Sequence, residues 1–106
     1  MSYDVHLEID TGGEHPAYVT ENQSPTYNLG PMFCEALGAP LRSLDGKLAS
    51  EALPIVSAAL VAMAADPAKF KALNPSNGWG DFDGAINFLR WLQSECSAHP
   101  KATVRV

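Results

Sequence analysis

Basic residues are scarce in this chain: seven lysines and arginines stand against twelve aspartates and glutamates, a formal charge of −5. No run of them forms the positive stripe that a phosphate backbone requires, which argues against nucleic acid and against an anionic membrane surface as partners. Cysteine is scarce too. Cys34 and Cys96 lie in apolar helical surroundings without C-x-x-C spacing, so they read as buried, reduced thiols rather than as a disulfide or a metal site. His6, His15 and His99 share no ligand spacing, and two of the three precede proline. No apolar run approaches the ~20 residues that cross a bilayer. The opening "MSYDVHLEID" alternates instead of showing a charged-then-apolar signal pattern, so a cytoplasmic setting is expected.

What remains is a globular chain with 46% apolar and 18% charged residues. Its 106 residues suit one domain, 1–106, with one modest core. Tyr3, Val5, Leu7 and Ile9 alternate with Asp4, His6, Glu8 and Asp10, the pattern of a half-buried strand. "DTGGEHP" turns the chain, Ala17 to Thr20 returns as a short strand, and "ENQSPTYN" reads as a polar loop. Pro31 opens a short helix that Gly38 ends. Ser50 is the expected cap of the main helix, with Pro54 near its first turn. Asp66-Pro67 starts another helix through Leu73. Asp81 should cap the last helix, where Ala85, Phe88, Leu89, Leu92 and Cys96 form one apolar stripe. Ala102 to Val106 reads as a closing strand. The fold class expected is α+β: a small antiparallel sheet joins the N- and C-terminal strands and is covered on one face by three to four helices.

From Ala52 to Ala65 only Pro54 and Ser57 fall outside the apolar set. A helix packed on one side needs an apolar face of only about three positions in seven. The surplus makes this 52–65 helix the expected site of self-association into a homo-oligomer.

Catalytic patterns are thin. Asp10-Thr11-Gly12 matches the D-T-G of aspartic proteases for three residues only, in a chain that is helical through its middle where that fold is nearly all strand. "LDGKL" lacks the upstream glycine and the following Ser or Thr of a phosphate loop. Glu8 with Asp10 reads as a solvated strand face, and Asp81 with Asp83 as helix-start carboxylates. No nucleophile, metal set or cofactor motif can be named, so neither catalysis nor a cofactor is expected.

The unusual passage is "NPSNGWGDFDG", Asn74 to Gly84, where Asn77, Gly78, Trp79, Gly80 and Asp81 place glycines on both sides of one indole. Two readings stand side by side. Trp79 and Phe82 pack under the loop and staple the helix start. Alternatively, Trp79 offers a stacking face for a planar ligand while loop and helix-start amides receive its oxygens. A second polar-aromatic loop, with Thr26, Tyr27 and Asn28, has the same character and is expected to face the first, within one subunit or across a dimer.

"TYNLGPMFCEALG", "LRSLDGKLASEALPIVSAAL", "DPAKFKALNPSNGWGDFDGAINFLRWL" and "HPKATVRV" together resemble a family of small bacteriophage and prophage proteins, particularly from phages of actinobacteria. Its members carry an N-x-T-x-N-like segment and a P-x-N-G-W-G-[DN]-[YF] loop. Thr26, Asn28, Asn77, Gly78, Trp79, Gly80 and Asp81 fit, whereas Asn22 stands four residues before Thr26 rather than two. The resemblance implies action in the host bacterial cytoplasm. It suits a non-enzymatic sponge that sequesters a nucleotide-derived immune signal, with Arg42, Arg90, Lys47 or Arg105 brought to the phosphates. The alternative is an interaction module that binds a host or phage protein.

Overall fold

The computed structural model describes residues 1–106. Strand β1 (His6–Ile9) lies between β2 (Ala17–Tyr18) and β3 (Thr103–Arg105), antiparallel to both. The helices are α1 (Gly30–Leu37), α2 (Ala49–Ala65), α3 (Pro67–Lys71) and α4 (Phe82–Ala98). The expected α+β class therefore holds, with the N- and C-terminal strands side by side in the sheet. No helix is long and apolar enough to cross a membrane.

Alternation decides which face of the sheet is covered. Val5 and Leu7 of the first strand segment and Val104 of β3 are fully buried, in one core with Phe33, Met32, Val56, Met63, Leu89 and Leu92 of the helices. The same alternation sends His6 and Glu8 to the other face. There Tyr18 stacks on His6 at a ring separation of 3.7 Å, and Glu8 Oε2 meets His6 Nε2 at 3.0 Å. Tyr18 thus shields His6 even though that face carries no helix, leaving His6 Nδ1 buried without a partner. Ile9, expected on the covered face, is exposed at the end of the strand.

The passage expected as a free polar loop is in fact paired. Val5 and Gln23 exchange both backbone hydrogen bonds at 2.8 Å, and Tyr3 N–H reaches Pro25 O at 2.8 Å. Residues 23–27 therefore run antiparallel to the first five residues and continue the β1–β2 pairing past a kink. At the kink the Thr20 hydroxyl accepts the Leu7 N–H at 2.9 Å, standing in for a backbone carbonyl. This pairing is what holds residues 23–29 as a fixed wall.

Helix starts follow three different solutions. Asp81 caps α4 as expected, accepting the Gly84 N–H at 2.8 Å, and Asp66 caps α3 through the Lys69 N–H at 3.3 Å. Helix α3 stops at Lys71, short of the expected Leu73. Ser50 is not the cap of α2: the helix begins at Ala49, and its first amides are met by distant backbone. Ala49 N–H bonds Ala102 O at 2.8 Å and Ser50 N–H bonds Pro100 O at 3.0 Å, so no side-chain cap is needed. Glu51 Oε1 reaches back to the Leu48 N–H at 3.2 Å. The expected apolar stripe of α4 (Ala85, Phe88, Leu89, Leu92 and Cys96) is buried along its length. Cys96 is buried as expected, but Cys34 is exposed on the outer side of α1. On α2, the surplus apolar residues are mostly alanines; Val61, 69% exposed, is the large side chain among those facing out.

Candidate functional site

The two polar-aromatic loops meet within one chain. Asn77 Nδ2 donates to Asn28 Oδ1 at 3.1 Å, Asn28 Nδ2 donates to Thr26 Oγ1 at 3.0 Å, and the Trp79 N–H donates to Asn77 Oδ1 at 2.9 Å. A continuous side-chain chain thus runs from Thr26 to the backbone of the tryptophan loop. Gly80 is needed where the loops touch. At φ +100° it occupies backbone space that side chains avoid, and a Cβ there would sit 2.8 Å from Thr26 Cγ2 and 2.9 Å from Leu29 Cγ. Gly78, at φ +76°, needs its freedom for the turn alone, since nothing lies within 4 Å of a Cβ built there.

Trp79 does not staple the helix. Phe82 is buried beneath the loop, with Lys71 Nζ 5.4 Å from its ring centre, while the Trp79 indole remains 65% exposed. A large apolar ring held outward on an anchored loop is the arrangement that the packed reading does not require.

The loop amides fare differently from the indole. Trp79 N–H is taken by Asn77, Phe82 N–H by Asn74 Oδ1 at 2.9 Å, and Gly84 N–H by Asp81. Asp83 adds a further carboxylate to the first turn of α4. Three of the amides that would have received ligand oxygens, those of Trp79, Phe82 and Gly84, thus already have partners, and the local charge is negative.

Tyr27 and Arg42 form a separate cluster. The Arg42 guanidinium donates to Tyr27 Oη at 2.8 Å and lies 5.6 Å from the ring centres of both Tyr3 and Tyr27, which pack edge to face at 4.6 Å. Asn22 is also apart from the Thr26–Asn28–Asn77 chain, donating instead to Asp4 Oδ1 at 3.2 Å.

Between the 23–29 wall and α4 lies an open groove of about 380 Å³. Gln23, Ser24, Pro25, Thr26 and Leu29 line one side; Gly80, Gly84, Asn87, Phe88 and Trp91 line the other. Of the residues singled out in the sequence, Thr26 and Gly80 reach this groove; Tyr27, Asn28, Arg42, Asn77, Gly78, Trp79 and Asp81 do not line it. Trp91, half-buried, stacks on Phe88 with ring centres 6.0 Å apart, and Phe88 in turn meets Phe33 at 5.5 Å in the core. The groove thus has an aromatic floor anchored to the core and a rim of amides and hydroxyls, with no charged side chain in its lining.

A signal for the α4 side was present: Gly84, Asn87, Phe88 and Trp91 follow i, i+3, i+4, i+7 and share one face. That face adjoins the core stripe and shares Phe88 with it. No cluster of His, Cys, Asp or Glu is placed to hold a metal ion. No family model matches this chain, and no curated protein or solved structure matches it.

Proposed function

We propose that this chain is a non-enzymatic binding protein whose groove takes a flat, uncharged group, the base of a nucleotide-derived molecule. The observation that carries the reading is the groove lining: Trp91 and Phe88 as floor, Gln23, Thr26 and Asn87 at the rim, and no charge. A volume of about 380 Å³ lies at the small end of ligand pockets. Exposed Trp79, adjoining Gly80 at the groove's edge, offers a second aromatic face. Phosphates on such a ligand would point to solvent, because no cation lines the groove, Arg42 is engaged by Tyr27, and the Phe82 and Gly84 amides at the helix start are already bonded. In the host cytoplasm that the phage resemblance suggests, binding without turnover would act by sequestering a nucleotide-derived immune signal.

Thermal unfolding against nucleosides, nucleotides, cyclic dinucleotides and ADP-ribose derivatives tests this. A ligand at about 100 times its dissociation constant adds ~2.7 kcal/mol and raises the midpoint by several degrees. The ligand should be recovered chemically unchanged, and Trp91→Ala should abolish the shift. Trp79→Ala should weaken it while changing the stability of the free protein by no more than about 0.5 kcal/mol. A flat panel, or a product in place of the ligand, would sink the proposal.

A second reading, an interaction module that also self-associates, draws on the outward face of α2. Pro54, Ala58, Val61, Ala62 and Ala65 are exposed there and uncharged, in a chain that is otherwise acidic. Sedimentation of the purified protein is expected to give a dimer that Val61→Glu converts to monomer. A monomer at every concentration would remove self-association from this reading.

A further inference from the structure

Resting on that reading of the groove, we infer that the base it takes is adenine, read at its amino edge by the Gln23 and Asn87 carboxamides. These two side chains line the groove from opposite walls, one on the paired 23–29 segment and the other on α4. Neither carboxamide joins the side-chain hydrogen bonds of the chain, in contrast to Asn22, Asn28, Asn77 and Gln93, each of which has a partner. Gln23 is half-buried and Asn87 exposed, so both carboxamides face solvent at the groove and are free to exchange water for a ligand.

A carboxamide presents an acceptor and a donor side by side, matched by a ring edge that carries a donor beside an acceptor. Adenine offers that pair twice around one group. Its exocyclic amine has two hydrogens, one beside N7 and the other beside N1, so two carboxamides can clamp a single amine. Cytosine provides the pair once. Guanine presents the pair as O6 beside N1–H and as N2–H beside N3, around two different groups, so two carboxamides cannot close on one of them. Its N7–O6 edge presents two adjacent acceptors, which call for Arg or Lys, and no cation lines the groove. The bicyclic ring also covers more of Trp91 and Phe88 than a pyrimidine would.

The experiment is a calorimetric titration of the purified protein with adenosine, AMP, N6,N6-dimethyladenosine, guanosine, cytidine and benzimidazole. The last is a flat bicyclic ring that lacks the amine. Adenosine is expected to bind about tenfold or more tightly than guanosine, cytidine or the dimethylated nucleoside, which has lost both amine hydrogens. AMP should match adenosine to within about threefold, since no cation meets its phosphate. Gln23→Met and Asn87→Leu, which keep side-chain size, should each remove most of the preference for adenosine over its dimethylated form while leaving the unfolding midpoint in place. Equal binding of the two, or a preference that survives both substitutions, would overturn the adenine inference and leave the groove a general site for flat rings. Binding of benzimidazole without adenosine would do the same. If no ring binds, benzimidazole included, the underlying reading of the groove falls as well.

Discussion

Asn77 donates to Asn28 at 3.1 Å across 49 residues of chain, and the same Asn77 carboxamide accepts the Trp79 N–H at 2.9 Å. One side chain therefore fixes both the separation of the two loops and the turn that holds the indole outward. Asn77→Ala removes both bonds at an exposed position where water can substitute, so the expected loss is about 1 kcal/mol. In a domain of this size that corresponds to a fall of roughly 4–8 °C in the midpoint. An unchanged midpoint would show that the loops are held together by packing alone.

The two loop glycines should separate sharply on substitution. Gly78→Ala pays only the left-handed backbone cost, about 1–2 kcal/mol, because its surroundings are open. Gly80→Ala adds overpacking against Thr26 and Leu29 to an unfavourable φ, so a loss of about 3 kcal/mol or more is expected. Urea unfolding of the two variants measures the difference. Equal losses would mean that the 23–29 wall moves aside without strain.

Cys34 and Cys96 should differ in reactivity and in pH dependence. Burial, helped by the Glu95 charge, pushes the Cys96 thiol up from its ordinary 9.0 to about 11. Cys34 on the outer side of α1 should react quickly with a thiol reagent at pH 8, and Cys96 only after unfolding. Between pH 9.0 and about 11 the unfolded thiol has lost its proton while the folded one retains it. The unfolded state then binds fewer protons, so this contribution to stability falls as pH rises, by at most about 1.4 kcal/mol per unit. Cys96→Ala should show a shallower decline over that window. Parallel curves for the two proteins would discount the shift.

The readability of this fold follows from where the ordering forces lie. The α4 stripe and the Asp81 cap were legible because both depend on residues within a few positions of one another. The alternation of Val5 and Leu7 likewise located the covered face of the sheet. Ser50 misled because the start of α2 is satisfied by carbonyls of Pro100 and Ala102, which leave no mark in the local sequence. The 23–27 segment reads as a loop for a similar reason: its pairing with residues 1–5 is backbone to backbone and shows no side-chain period. At the site, glycines around Trp79 suit a packed or a projecting indole equally well, so its exposure had to be seen. Asn87 and Trp91 lay in view on a helical face, hidden by the stronger core stripe with which that face shares Phe88.

The meeting of residues 100–105 with the rest of the chain has a consequence for how the protein comes to be made. This short segment supplies β3 to the sheet, carbonyls to the first turn of α2, and, through Val104, both partners for Gly46 and Lys47. A growing chain that has not yet released these residues from the ribosome lacks one strand and leaves the main helix open at its start. Its contacts join positions far apart in sequence, which makes them late to form. The third strand of the sheet and the first turn of α2 therefore wait on residues 100–105, and until these emerge the opening amides of the main helix have only water or a neighbouring chain to meet.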